Sequence, residues 1–481
     1  ALPMLLLAWR GQIEAELARL AQTDGLTGLI DTAAFGRRSV DLISMARRYQ
    51  EPLALVVVTL DDFDTLQAER DIDFADRTLA LFGSCVQAQM RLGDLAGRLA
   101  GHQFGVLMAR CQPEGPQALD QRLRSALAER APKGITTMLP GEDAAVVGEE
   151  LTRRFGLPIW QFALTATDAN RFALRTARAI TGRPKILVFA WCYHGSVDET
   201  IVVVEDGKVV PRRGAIGPPV DPALTTRAVE FNDLDALERE LAHGDVACVL
   251  TEPALTNIGI VLPDPGFHEG LRALTRKYGT LLIIDETHTI CAGPGGATRA
   301  WNLEPDLLTI GKPLASGIPA ATYGMSADVA RRAQAFLEGL PQTDVGGVGG
   351  TLAANPLSLA AMRTTLREVL TEEAFARMID LGGRWADGVR GAIERHDLPW
   401  TVQRLGCRAE YWFTPEAPRN GSQAAVADDH VMSRFSHLYA LNRGILLTPF
   451  HNMALMCPAT TQADVDLHTA VFDEMAAELV G

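Results

Sequence analysis

The chain has 481 residues, 47% hydrophobic and 22% charged, a globular composition that excludes a disordered chain, a collagen-like repeat and a small disulfide scaffold. Its net charge of -14 gives no general attraction for nucleic acid or anionic lipid, although a local basic patch can hold a small phosphorylated ligand. The cysteines Cys85, Cys111, Cys192, Cys248, Cys291, Cys407 and Cys457 are scattered without a CxxC pair, which argues for free thiols in a reducing cytoplasm and against a metal site.

Ala1–Trp9 is apolar but too short for a membrane span and lacks a basic leader, so neither a span nor a signal peptide is expected. Arg10–Ala21 carries Ile13, Leu17 and Leu20 at helical spacing and predicts a lead-in helix. Thr23–Phe35 reads as a turn feeding a helix. The β-branched run Pro52–Leu60 predicts a buried strand, and Phe74–Met90 a long helix. Leu99–Met108 reads as two short strands around a tight turn, and Pro116–Arg130 as a charged helix. Ala131–Gly134 is the expected junction. Beyond it, helices alternate with the short apolar strands Ile186–Phe189, Ala247–Leu250, Leu281–Ile284 and Leu307–Ile310. That alternation predicts an α/β fold with a doubly wound, mostly parallel sheet, which takes ligands at the carboxyl ends of its strands. The expected divisions are a lead-in at 1–22, a first domain at 23–133, a large domain at 134–375 and a small C-terminal α+β domain at 376–481.

The residues at those strand ends carry chemistry. Lys312 follows one strand, Asp285 ends another, Glu252 follows a third and Tyr193-His194-Gly195 a fourth. Thr165-Ala166-Thr167 precedes a helix expected to begin near Asp168, where backbone N–H groups suit a phosphate; plain capping by Thr167 or Asp168 is the alternative. A lysine that can condense with a carbonyl, a carboxylate for a ring nitrogen, a phosphate cradle and an aromatic ring for stacking together describe a site for pyridoxal phosphate.

Several motifs, in order, resemble those of the class III pyridoxal phosphate-dependent aminotransferases of fold type I, near the glutamate-1-semialdehyde aminomutase branch. They are TATDANRFALRTARAITGR (Thr165–Arg183), CYHGSVDET (Cys192–Thr200), EPALTNIG (Glu252–Gly259), DETHT (Asp285–Thr289), GKPLASGIP (Gly311–Pro319) and GGTLAANPLSLAA (Gly349–Ala361). The resemblance implies that Lys312 forms the Schiff base and then moves the proton, and that Asp285 holds the ring nitrogen. It implies Tyr193 on one ring face and Thr287 near the other, with Thr165, Ala166 and Thr167 on the phosphate. Gly350 and Thr351 would reach the phosphate of a neighbouring subunit, so a homodimer is implied. His194, Glu252 and Asn257 fall near the cofactor. His288 could face the pocket, although a core or supporting position is the stronger expectation. Arg404 and Arg408 are candidates for a substrate carboxylate, with surface pairing equally expected. Relative to the family, a front segment that supplies part of the small domain and the substrate pocket is missing before Ile135. A pseudoenzyme that binds the cofactor without turnover is therefore the alternative to an aminotransferase or aminomutase of small amino acids or amines.

A second resemblance covers Thr23 to Arg130, to the GGDEF domain of diguanylate cyclases. DGLTGLIDTAAF (Asp24–Phe35) is similar to its DxLTGLxNRRxF, VVVTLDDFD (Val56–Asp64) stands where it has DIDxFK, and LAGHQFGVLMA (Leu99–Ala109) where it has GGDEF. Two-metal phosphoryl transfer needs hard carboxylate ligands, and here Thr59, His102 and Gln103 replace them, so no cyclase activity is expected. Arg91 and Asp94 form an RxxD at the family's spacing for cyclic di-GMP, which leaves a nucleotide sensor as a further alternative. This domain also reads as shortened, without the strand and helix that follow the hairpin.

Overall fold

The computed structural model describes residues 22–60, 63, 72–91, 93–110, 125, 141–340, 347–448 and 450–481. The lead-in helix, the charged helix Pro116–Arg130 and the junction Ala131–Gly134 lie outside them, except for the single residue at 125. The chain divides into two units, Ala1–Ile135 and Thr136–Gly481.

In the first unit α1 (Thr32–Tyr49) leads to β1 (Leu53–Thr59), α2 (Ile72–Ala88), β2 (Leu95–Ala100) and β3 (Gln103–Ala109). The strands form an antiparallel sheet of order β1-β3-β2. Asp31 caps α1 by accepting from the Ala34 N–H at 2.7 Å. Asp24 accepts from the Thr27 N–H at 2.9 Å and pairs with Arg98 at 3.1 Å, so the DGLT turn is tied to β2. The β-branched run of β1 is not buried on both faces as expected: Leu55 and Val57 are 59% and 53% exposed. Only Ala54, Val56 and Val58 pack on the core of Leu79, Phe82, Phe104 and Val106. A continuous apolar run marks a strand without saying how many of its faces are covered.

In the second unit α3 (Glu142–Phe155) precedes β4 (Ile159–Ala163), α4 (Ala166–Thr181), β5 (Lys185–Phe189), β6 (Val202–Glu205), β7 (Lys208–Pro211), β8 (Thr226–Val229) and β9 (Val246–Thr251). Next come β10 (Leu281–Asp285), β11 (Leu307–Ile310), β12 (Ala321–Met325), α5 (Pro356–Thr364), α6 (Glu372–Arg395), β13 (Thr401–Leu405), β14 (Arg408–Trp412), β15 (Met453–Leu455) and α7 (Gln462–Val480). The main sheet runs β4-β12-β11-β10-β9-β5-β8. It is parallel from β11 to β8, with β12 antiparallel to both its neighbours. β9, β10 and β11 are buried along their whole length and β5 over all but its first residue, because helices cover both faces. The antiparallel sheet β13-β14-β15 and the packed pair α6 and α7 share one apolar cluster with α3 and β11, centred on Trp385, Tyr411 and Phe472. Complete burial of each such ring contributes roughly 1.5–3 kcal/mol.

Arg154 ties α3 to the lysine-bearing end of the sheet. Its buried guanidinium donates to the Pro294, Leu366 and Leu370 carbonyls at 3.0, 2.6 and 2.9 Å and pairs with Glu150 at 2.7 Å. Leu366 lies in the single π turn Thr365–Val369 that follows α5. Arg154→Ala strands these acceptors in the interior. It should destabilise the second unit by about 3 kcal/mol, read as a lower melting temperature of its transition.

Candidate active site

The carboxyl ends of β5, β10 and β11 meet the amino end of α4 around a cavity of about 390 Å³. Its walls include Thr165, Ala166, Thr167, Tyr193, Asp285, Thr287, His288 and Lys312.

α4 begins at Ala166, and its cap is Thr165, whose hydroxyl accepts from the Asp168 N–H at 3.1 Å. This corrects the expected start near Asp168 and capping by Thr167 or Asp168. Thr167 is occupied otherwise: its hydroxyl accepts from the Ser196 N–H at 3.1 Å and so clips the loop after β5 to α4. The loop closes that tightly because residue 195 is glycine, at φ +76°; a Cβ there would overlap the Thr167 hydroxyl. Thr165, Ala166 and Thr167 thus bring the amino end of α4 to the cavity wall, and a helix amino end attracts an anion.

Asp285 is 3% exposed at the end of β10. Its Oδ2 accepts from Asn170 Nδ2 and pairs with His194 Nδ1, both at 2.9 Å, and its Oδ1 accepts from the Thr287 N–H at 3.0 Å. Burial alone would raise its pKa, but the bonds from His194, Thr287 and Asn170 outweigh it and hold the carboxyl at about 2. Burial likewise opposes protonation of His194, yet Cys192 and Asp285 beside it raise that imidazole well above the ordinary histidine range.

Lys312 follows β11 in a tight turn, with a left-handed backbone at φ +29°. Such a conformation costs roughly 1–3 kcal/mol unless its surroundings enforce it. They do so here: Ser316 shares a hydrogen bond with Thr365 of the π turn at 2.9 Å, and Ser358 of α5 donates to the Pro319 carbonyl at 2.7 Å. Water reaches the lysine through the open cavity. Desolvation by the surrounding protein still draws its pKa below the ordinary lysine value, against the pull of Asp285 and Glu252.

The remaining sequence candidates separate. His288 lines the cavity, contrary to the expected core position. Its burial, with Lys312 and Arg408 nearby, lowers its pKa to about 3, so it is neutral at ordinary pH. The His194 ring lies against Asp285 and is not among the residues lining the cavity. Glu252 is buried, accepts from the Tyr193 N–H at 3.3 Å and from the Thr256 hydroxyl, and also stands outside the lining. Asn257 lines a different cavity of about 350 Å³, with Trp191 and Trp412, rather than the one at Lys312. Gly350 and Thr351 lie on an exposed loop away from the lining of their own chain's cavity. Arg408 is buried and paired with Glu410 at 3.1 Å, while Arg404 is an exposed residue bonded to the Ile379 carbonyl. Sequence reasoning did not single out Asn170 and Thr309. A polar residue inside the buried strand LLTI and an asparagine in a helix interior were the available signals.

In the first unit Thr59 stands opposite Gln103 across the β1–β3 pairing, and the His102 ring stacks on Phe63 at 5.3 Å. Asp94 accepts from the Arg91 and Ala109 N–H groups at 3.1 and 3.2 Å, so its carboxylate is part of the turn. Among the described residues, no group of three or more His, Cys, Asp or Glu is placed to hold a metal ion, and no helix is long and apolar enough to cross a membrane.

Residues 119–476 match the family described as aminotransferase class-III, and residues 21–139 match the GGDEF domain of diguanylate cyclases. The chain is 37% identical over 332 residues to the glutamate-1-semialdehyde 2,1-aminomutase of Chloroflexus aggregans, covering 66% of this chain and 74% of that protein. It is 32% identical over 351 residues to that of Desulfitobacterium hafniense, covering 71% and 79%. Among solved structures, a glutamate-1-semialdehyde aminomutase from Pseudomonas aeruginosa PAO1 superposes with a TM-score of 0.71 at 53% identity, covering 74% of this chain and 80% of that one. An omega-transaminase from Sphaerobacter thermophilus gives 0.66 at 27%, covering 78% and 84%.

The low pKa of Asp285 sets an acid dependence. A carboxyl held at about 2 instead of its ordinary 3.8 stabilises the fold fully above the ordinary value and loses that contribution as pH falls toward 2. The stake is about 2 kcal/mol. Asp285→Asn should remove this part of the slope in denaturant unfolding measured across that range; an unchanged slope would contradict it.

Proposed function

Because the chain belongs to the class III aminotransferase family, whose cofactor is pyridoxal phosphate, we propose that it moves an amino group of a small amino acid or amine at the Lys312 cavity, as an aminotransferase or aminomutase. The observation that carries this reading is the convergence of Lys312, Asp285 and the first turn of α4 on one cavity.

The donor set fits the cofactor. The Thr287 hydroxyl is buried without a protein partner while its residue lines the cavity, so it has a hydrogen bond to give. The first turn of α4 suits the phosphate, and Tyr193, 37% exposed at the wall, offers a ring for stacking. When bound, pyridoxal phosphate supplies a carbonyl for the amino group and an electron-accepting ring. Lys312, its pKa drawn down by desolvation, offers its Nζ to that carbonyl, and the same Nζ takes and returns the proton at the substrate's α-carbon. Asp285 keeps a negative charge for the ring nitrogen. His288 presents a neutral imidazole to the substrate side. Gly350 and Thr351 serve the phosphate of a second subunit, which makes the working unit a homodimer. Glu252 supports the Tyr193 loop through its backbone N–H.

The first unit accompanies this site as a regulatory or docking module without cyclase activity. The support is Thr59, His102 and Gln103 where the cyclase chemistry needs carboxylates. Cyclic di-GMP at Arg91 is the alternative role, and its saturable binding with loss in Arg91→Ala would establish it.

The test is the visible spectrum of the purified protein. The expected result is a Schiff-base absorption band that borohydride fixes, that Lys312→Ala abolishes and that one of a panel of amino donors bleaches. A band that no donor bleaches would identify a pseudoenzyme, and no band with added pyridoxal phosphate would refute the reading.

A further inference from the structure

Asn170 occupies the middle of the second unit, 0% exposed on the inner face of α4. Its Nδ2 donates to Asp285 Oδ2 at 2.9 Å and to the His194 carbonyl at 3.2 Å. Its Oδ1 accepts from the Thr309 hydroxyl at 2.6 Å. Thr309 is itself 0% exposed on β11 and stands beside Asp285 in the β10–β11 register. The Asp285 carboxylate and the His194 carbonyl, which only accept, set which way the amide faces, and the Thr309 hydroxyl anchors its Oδ1. Only the N–H₂ end can meet the carboxylate; the flipped amide would set two acceptors against each other. The amide in turn fixes the carboxylate's rotation. Oδ2 receives Asn170 and His194, whereas Oδ1 receives only the Thr287 N–H. A carboxylate oxygen has room for two donors, so Oδ1 is the one with capacity left.

We propose that Thr309 and Asn170 are positioning residues for the cofactor: the hydroxyl anchors the amide, the amide locks Asp285, and Oδ1 is the oxygen held for the ring nitrogen. The inference rests on the reading of the Lys312 cavity as a pyridoxal phosphate site. Neither residue lines that cavity, so both act through Asp285.

The experiment compares wild type, Thr309→Val, Thr309→Ser and Asn170→Asp by titration of apoprotein with pyridoxal phosphate. It adds the ring-nitrogen NMR shift of isotope-labelled cofactor and thermal melting. Thr309→Val keeps the shape and the strand preference but removes the donor. It should weaken cofactor binding roughly tenfold, the scale of one hydrogen-bonded link to a charged group, and move the ring nitrogen toward its unprotonated shift. Thr309→Ser should restore both. Asn170→Asp replaces the amide by a second carboxyl in the same volume and should produce the same two changes more strongly. It keeps the test decisive if the valine variant does not fold. A folded Thr309→Val or Asn170→Asp with wild-type affinity and wild-type shift overturns the inference alone. A wild type that binds no pyridoxal phosphate overturns both the inference and the reading beneath it.

Discussion

An ionised carboxylate kept dry at the end of a buried strand is the constraint around which the second unit is built. Removing a charge from water costs several kcal/mol, and it persists only where donors replace the lost water. Around Asp285 those donors come from separate parts of the chain: Asn170 of α4, His194 of the loop after β5, and the Thr287 N–H just beyond β10. Holding Asp285 therefore fixes the relative placement of α4, β5, β10 and, through Thr309, β11. The same elements carry the phosphate-facing turn, the stacking ring and the lysine.

The lysine has a second set of supports. Its left-handed turn is sustained by Ser316, Thr365, Ser358 and the clasp of Arg154 around the π turn. These contacts reach the lysine from α3, α5 and the apolar cluster shared with α6 and α7. The small antiparallel sheet is thus part of what shapes the Lys312 turn. Gly195 plays the corresponding part at the other wall, where the loop and α4 meet too closely for a side chain.

The first unit matches the GGDEF family while departing from its motifs at residues that carry chemistry. Asp24, Thr27 and Arg98 preserve the motif's turn because they are mutually bonded, a structural task that does not depend on any ligand. Thr59, His102 and Gln103 stand where the motifs carry metal-binding residue types. Asp94, which fits a ligand motif by spacing, also accepts from the backbone N–H groups of Arg91 and Ala109.

By itself the sequence determined the residue types at the strand ends, the mostly parallel sheet and the candidates Lys312, Asp285 and Tyr193, because short apolar strands followed by polar residues are local features. It also placed Thr59, His102 and Gln103 where the cyclase motifs it resembles carry carboxylates. Tertiary structure alone decided which strand-end residues share a cavity. It put His288 on the wall, sent Asn257 to another cavity and buried Arg408 in a pair with Glu410, since the direction of a loop side chain depends on what packs against it. It alone revealed the antiparallel β12 and β4, whose short segments carry little pattern of their own. The link from Thr309 to Asn170 to Asp285 joins residues 139 and 115 positions apart, and only the packing of α4 across the sheet brings them within hydrogen-bond reach.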